Sequence, residues 1–228
     1  MKITRLLILL PALCFGSSLL FGQYQQKSVE ETYALPARKK AKLELKFARN
    51  ITVHTWDRRE LKLQKHFTFS DPELLDIHLM EVVESDAELT IRTGFAEREQ
   101  KQQGYSCWSC HEDNEGRDCI CFSVSYEVWL PGDAELDLET ISGDVEMRGF
   151  TGPARVKSIS GFLDVGLPGQ APAQLSFKSV TGEIYTDFDI SLDDKSSSYS
   201  KRLNRSLNGG GPILSLETVS GDIFFRKI

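Results

Sequence analysis

The sequence predicts an all-β fold, a β-solenoid-like stack of short two-strand repeats, with a twisted β-sandwich as the alternative. Three observations predict it. One pattern occurs four times in the C-terminal half, as "LDLETISGDVEM" (136–147), "ARVKSISGFLDV" (154–165), "LSFKSVTGEIYT" (175–186) and "LSLETVSGDIFF" (214–225). Each copy alternates apolar and polar residues around a glycine (Gly143, Gly161, Gly182 or Gly221), and period-2 alternation is the signature of strands. The apolar parity also switches inside each copy. Leu136 and Leu138 are even, whereas Ile141, Val145 and Met147 are odd. A flat strand would expose one set, so the chain must turn near Thr140–Gly143, where glycine permits positive φ.

The glycines are spaced by 18, 21 and 39 residues, and a period near 20 marks stacked repeats. Stacking is expected to bring Ile141, Ile159, Val180 and Val219 into one internal column. Glu139, Lys157, Lys178 and Glu217 then form one outward column, and Glu146, Asp164, Tyr185 and Phe224 a second. The second turns aromatic toward the C-terminus, so Tyr185 and Phe224 are a candidate contact surface for a sugar or protein. The competing role for these rings is to cover an open end of the stack. The acids after the glycines, Asp144, Glu183 and Asp222, are expected to be solvated turn residues, since Phe162 interrupts their column.

The N-terminal half carries a degenerate copy, "LELKFARNITV" (43–53), with Asn50 near the glycine position. "ELKLQKHFTF" (60–69), "AELTIRT" (87–93) and "CFSVSYEVWLP" (121–131) are further strands. Asp71 followed by Pro72 opens at most one short helix near 71–80. His54, His66 and His78 fall in or near these elements and are expected to be ordinary surface or core-edge residues.

Lys2 and Arg5, an apolar run from Leu6 to Phe15, then Gly16, Ser17 and Ser18 read as a secretory signal peptide over residues 1–22, with cleavage after Gly22 or after Ser18. The run is short and interrupted for a membrane span, so no stable membrane insertion is expected after cleavage. Residues 23–228 then form a single β-repeat domain. Losing Lys2 and Arg5 leaves 25 basic against 33 acidic residues, a balance that disfavours nucleic acid and anionic membrane surfaces. The product is expected to be exported, whether periplasmic, cell-surface or secreted.

Two segments interrupt the strands. Residues 189–211, rich in Ser, Asn, Gly and charge, read as a mobile loop. Residues 96–121 form an insertion bearing Cys107, Cys110, Cys119 and Cys121. Cys107-Trp-Ser-Cys110-His111 spells a c-type haem attachment, but the acidic residues 112–115 that follow do not suit a haem pocket. Zinc is chemically open, although Cys119-Ile-Cys121 is a poor second half for such a site. Cys14 is expected to leave with the signal peptide, and the four cysteines that remain in an exported chain favour two disulfides, each joining one of Cys107 and Cys110 to one of Cys119 and Cys121. Bridges that short contribute about 2–3 kcal/mol each, shaping the loop more than holding the fold. No cofactor is expected.

"ITVHTWDRRELKL" (51–63), "VSYEVWLPGDAELDLETISGDVEM" (124–147) and "LNGGGPILSLETVSGDIFFRK" (207–227) resemble the bacterial putative-adhesin family of β-strand repeats, a domain of unknown function. The resemblance implies an exported β-solenoid-like protein with an adhesive or scaffold role, and the chain is expected to be non-catalytic and to contact a cell-envelope protein or glycan. The resemblance supplies no catalytic residue, and the cysteine insertion departs from the family's pattern. Two other functions follow from other readings of the sequence: a redox or haem protein centred on Cys107, Cys110 and His111, and a polysaccharide-acting solenoid enzyme using paired carboxylates.

Overall fold

The computed structural model describes residues 24–96, 122–190 and 201–228. The expected signal peptide, with Cys14, and the insertion cysteines Cys107, Cys110, Cys119 and Cys121 lie outside these residues. The described chain is almost wholly β. Its strands are β1 (Gln25–Ala34), β2 (Lys40–Leu45), β3 (Asn50–Trp56), β4 (Glu60–Phe69), β5 (His78–Glu84), β6 (Glu88–Phe95), β7 (Phe122–Pro131), β8 (Glu135–Ser142), β9 (Asp144–Arg148), β10 (Ala154–Ser160), β11 (Leu163–Leu167), β12 (Ala173–Ser179), β13 (Ile184–Thr186), β14 (Lys201–Leu207), β15 (Ile213–Ser220) and β16 (Ile223–Lys227). The short helix is a 3₁₀ turn at Pro72–Ile77, capped by the Asp71 carboxylate, which accepts from the Glu73 N–H.

The strands form two open eight-stranded mixed sheets. The first runs β1-β4-β7-β3-β9-β11-β16-β13 and the second β14-β12-β15-β10-β8-β2-β6-β5. Their inner faces share one core, as where the Phe177 and Phe225 rings meet at 5.1 Å. Every repeat gives one strand to each sheet, and the strands of neighbouring repeats pair in parallel. Residues 43–53 supply a fifth unit through β2 and β3, which pair in parallel with β8 and β9. At its corner Phe47, not Asn50, takes the positive φ.

The order of units in space departs from their order in sequence. The fourth repeat lies between the second and the third. The intervening segment explains this. Lys201–Leu207 is a strand, not part of a loop, because Leu203 and Leu207 are buried and the segment pairs antiparallel along the outside of β12. A turn at Asn208–Gly210, with positive φ at all three residues, then returns the chain to the slot between β12 and β10.

The expected internal column of Ile141, Ile159, Val180 and Val219 is not internal. Ile159 and Val219 are exposed, and Ile141 and Val180 only half-buried. The inward position belongs to the preceding hydroxyl residue. Thr140, Ser158, Ser179 and Thr218 continue the alternation of the strand and are buried. Burial of a hydroxyl is tolerated when it is bonded. Thr140 donates to the Ser142 carbonyl, Ser158 to that of Ser160 and Ser179 to that of Gly221. The parity switch therefore falls at the glycine corner, after the hydroxyl.

The acids beyond the corner are more than solvated turn residues. Asp144 Oδ1 accepts from the Phe162 N–H of the next unit at 3.1 Å, and Asp222 Oδ1 accepts from the Glu183 N–H at 2.8 Å. Each ties its own corner to the neighbouring one. Asp222→Ala is expected to cost about 1.5–3 kcal/mol, the value of a hydrogen bond to a charged group, measured by urea unfolding. An unchanged midpoint would count against the tie.

Candidate binding surface

The outer face of the first sheet carries the predicted aromatic column. Tyr185 on β13 and Phe224 on β16 are partners in register. Their rings stack at 5.2 Å with planes 12° apart. Phe162 meets Phe224 edge-on at 6.0 Å. Phe225, one residue on, points inward and is buried. Tyr185 is 50% exposed. The third repeat, not the fourth, forms the edge here, so Tyr185 covers one face of Phe224. Arg226 lies 5.3 Å from the Phe224 ring, and its Nε is 2.9 Å from both carboxylate oxygens of Asp164. Asp164 also pairs with Arg148 at 2.9 Å. The surface thus sets the half-exposed Tyr185 at the sheet edge, with Phe224 between it and the arginine–carboxylate cluster of Arg226, Asp164 and Arg148. The repeat glycines Gly143, Gly161, Gly182 and Gly221 stand in one column at the corner, each facing a backbone carbonyl of the unit below.

A second cluster on the same sheet face was not singled out from the sequence. His66 Nε2 lies 3.2 Å from Glu127 Oε1, and His54 Nε2 lies 3.4 Å from Glu127 Oε2. Both Nε2 atoms are shielded from solvent, yet neither makes an aligned hydrogen bond. The two imidazoles sit at opposite ends of the carboxylate. The register puts their Cα atoms two strands and four residues apart, about 16 Å on standard sheet spacings, too far for both to ligate one ion. Among the described residues no group of three such side chains is placed to hold a metal. The indoles here are already covered. Trp129 lies between His54, stacked at 4.9 Å, and the Lys62 ammonium at 3.7 Å, and Arg58 lies over Trp56 at 5.2 Å. Ser28 Oγ and His66 Nδ1 are 2.9 Å apart, so serine, histidine and glutamate follow one another as in a hydrolytic relay. Ser28 stands in regular register on an edge strand, opposite His66, without the sharp turn that exposes a nucleophile.

A third cluster faces inward near the β1 and β5 edges. Lys65 occupies a core position of β4 between Leu63 and Phe67 and is buried. Its Nζ donates to Glu31 at 2.8 Å, and Tyr33 donates to the same carboxylate. Burial raises the Glu31 pKa, but the bonds from Lys65 and Tyr33 outweigh it and leave the carboxyl below its ordinary value. His78 Nε2 is 2.9 Å from the buried Tyr126 hydroxyl, which donates to Thr93 Oγ1 at 3.2 Å. Burial, reinforced by Lys65, pushes the His78 pKa down to about 4. These bonds pin the two sheets together, since Tyr126 belongs to one and Thr93 to the other.

No protein-family model matches the chain, and no curated protein matches it in sequence. Solved structures do. A putative cell adhesion protein from Clostridium sporogenes is 12% identical, with a TM-score of 0.52 over 90% of this chain and 100% of that one. A putative adhesin from Parabacteroides merdae (9% identity, 89% and 96% covered) superposes with a TM-score of 0.22. A putative lipid binding protein from Parabacteroides distasonis (9% identity, 88% and 96% covered) gives 0.25. The first likeness shows the shared all-β fold. Among the described residues no helix is long and apolar enough to cross a membrane.

Proposed function

We propose that this chain is an exported, non-catalytic β-repeat protein that binds a cell-envelope protein or glycan through the outer face of its first sheet. The observation that carries the reading is the Tyr185–Phe224 pair, stacked in register with half of Tyr185 open to solvent. A flat aromatic face beside fixed charges suits sugar rings and the aromatic-rich centres of protein contacts. The order of residues 1–22 supports export. The whole is read as a solenoid-like stack, because five units pair in parallel register, flanked by antiparallel strands at three of the four sheet ends and left at the fourth with the parallel edge strand β13. The name of the Clostridium sporogenes protein agrees with an adhesive role.

The test is a binding screen of the purified chain against cell-envelope glycans and proteins, repeated with Tyr185→Ser and Phe224→Ser. Loss of a central aromatic contact is worth roughly 2 kcal/mol, about thirtyfold in affinity. A well-folded variant that binds at least that much more weakly supports the contact surface. An aggregating variant would instead assign these rings to covering the sheet edge. If neither binding nor solubility changes, the column has no role.

A further inference from the structure

Six strands of the second sheet carry, on its outer face, a charge row that complements its own reverse; beyond them the row continues with Arg92 of β6 and Glu81 of β5, outside the matched span. The register places Arg202 of β14, Lys178 of β12, Glu217 of β15, Lys157 of β10, Glu139 of β8 and Glu44 of β2 side by side across six adjacent strands. Their signs run plus, plus, minus, plus, minus, minus. A twofold axis parallel to the strands, between β15 and β10, would lay this row against a second copy of itself. Arg202 then faces Glu44, Lys178 faces Glu139, and Glu217 faces Lys157, so every cross-pair is opposite in sign. The next outward row toward the corner is aliphatic, with Val219 and Ile159 on the two strands beside the axis and Ile141 on β8. Val219 is 40% and Ile159 48% exposed. The same axis sets Val219 of each copy against Ile159 of the other. A shallow groove floored by Ile141 and Ile159, with Glu44, Lys46, Glu139 and Lys157 along it, gives these side chains a recess to enter.

We propose that this face is a homodimer interface, occupied by a second copy of the chain about that twofold axis. Twofold contacts use one patch twice, so self-complementarity is the property they require. Exposed ion pairs add little affinity individually. The aliphatic row supplies the affinity and the charges set the register and exclude others. The lysine and arginine stems are already ordered within one copy, since Lys178 Nζ donates to Glu217 at 2.8 Å and Arg155 donates to Glu139 at 2.7 Å. Ordering them again on association therefore costs less.

Sedimentation velocity of the full chain over a range of concentration and salt tests this. The expected result is a reversible dimer that weakens as salt rises. Lys157→Glu places two like-charge contacts across the axis and is expected to raise the dissociation constant by about tenfold or more. Lys157→Glu combined with Glu217→Lys restores opposite signs and should recover most of that loss. Ile159→Ser should weaken the dimer without altering its salt dependence, and it serves as the readout if Lys157→Glu fails a circular-dichroism check of folding. A chain that stays monomeric at every concentration overturns the proposal, as does a dimer indifferent to both Lys157→Glu and Ile159→Ser. A Lys157→Glu defect that the double exchange does not relieve overturns the twofold register. The binding screen uses the opposite sheet, so either result stands without the other.

Discussion

Alanine in place of Gly161 is expected to lower the free energy of unfolding by about 3–5 kcal/mol, or to prevent folding outright. Two effects add. The glycine φ is +123°, a conformation that costs an L-residue roughly 1–3 kcal/mol. A Cβ built there lies 2.4 Å from the Gly143 carbonyl oxygen and 2.8 Å from its carbon, and both are backbone that cannot rotate away. Relief requires the second unit to move off the first, which breaks the parallel ladders β10–β8 and β11–β9. Two controls separate the causes. Gly209 has φ +87° but nothing within 4 Å of its Cβ position, so Gly209→Ala should pay the backbone strain alone. Gly94 also has open space, and its φ lies outside the left-handed region. Gly94→Ala should be neutral or slightly stabilising, because it restricts the unfolded chain. Urea unfolding of the three variants should rank them Gly161, Gly209, Gly94 in decreasing cost. A Gly161 variant no worse than the Gly209 variant would show that the close stacking of corners is not a constraint.

The glycine column was legible because one physical requirement, a corner without a side chain, recurs in the same place in every unit. The aromatic pair was legible for the same reason, since equivalent positions of stacked units become neighbours. The interior of the corner was not. Residues such as Ile141 and Ile159 look like core residues by composition, whereas Thr140 and Ser158 do not, and only the backbone acceptors supplied by the corner make the smaller hydroxyl the better buried residue. The order of units was hidden by local similarity, because nothing within a unit says which other unit it will touch. One signal did bear on it. Stacking in sequence order sets Lys157 beside Lys178, whereas the observed order inserts Glu217 between them. Like charges directly opposite one another are destabilising, so charge alternation together with the 39-residue gap favours the order seen. Lys65 escaped notice because it stands in the alternation where a core residue belongs, and its partner Glu31 is 34 residues away in sequence.

That inward cluster leads to the second large effect, a loss of stability on mild acidification. Protonating His78 in the folded protein means charging an imidazole enclosed by the Phe67 and Phe95 rings, with the Lys65 ammonium nearby. Glu31 opposes this, but burial and Lys65 prevail, so the folded pKa is about 4 against an ordinary 6.5. Tyr33 and Tyr126, the other titratable groups of the cluster, are both raised by burial and stay neutral in this range. Between pH 6.5 and 4 the unfolded chain therefore binds a proton that the folded chain does not, and stability falls as pH falls through that window. The shift corresponds to about 3 kcal/mol at most, and to roughly 2 kcal/mol once the partial solvent access of the ring is allowed for. The contribution is complete above pH 6.5 and fully lost below about 4. Glu31, whose folded pKa is depressed, acts in the same direction as its own carboxyl titrates. His78→Gln keeps a donor for the Tyr126 hydroxyl and removes the titrating group. Its unfolding midpoint should hold nearly level from pH 6.5 to 5, where that of the unaltered protein declines. The two should separate as the pH falls, the unaltered protein dropping below the variant as its buried imidazole becomes charged. Parallel profiles for the two proteins would show that His78 ionises as freely in the fold as out of it, and the bond that joins the two sheets at Tyr126 would then carry no pH dependence.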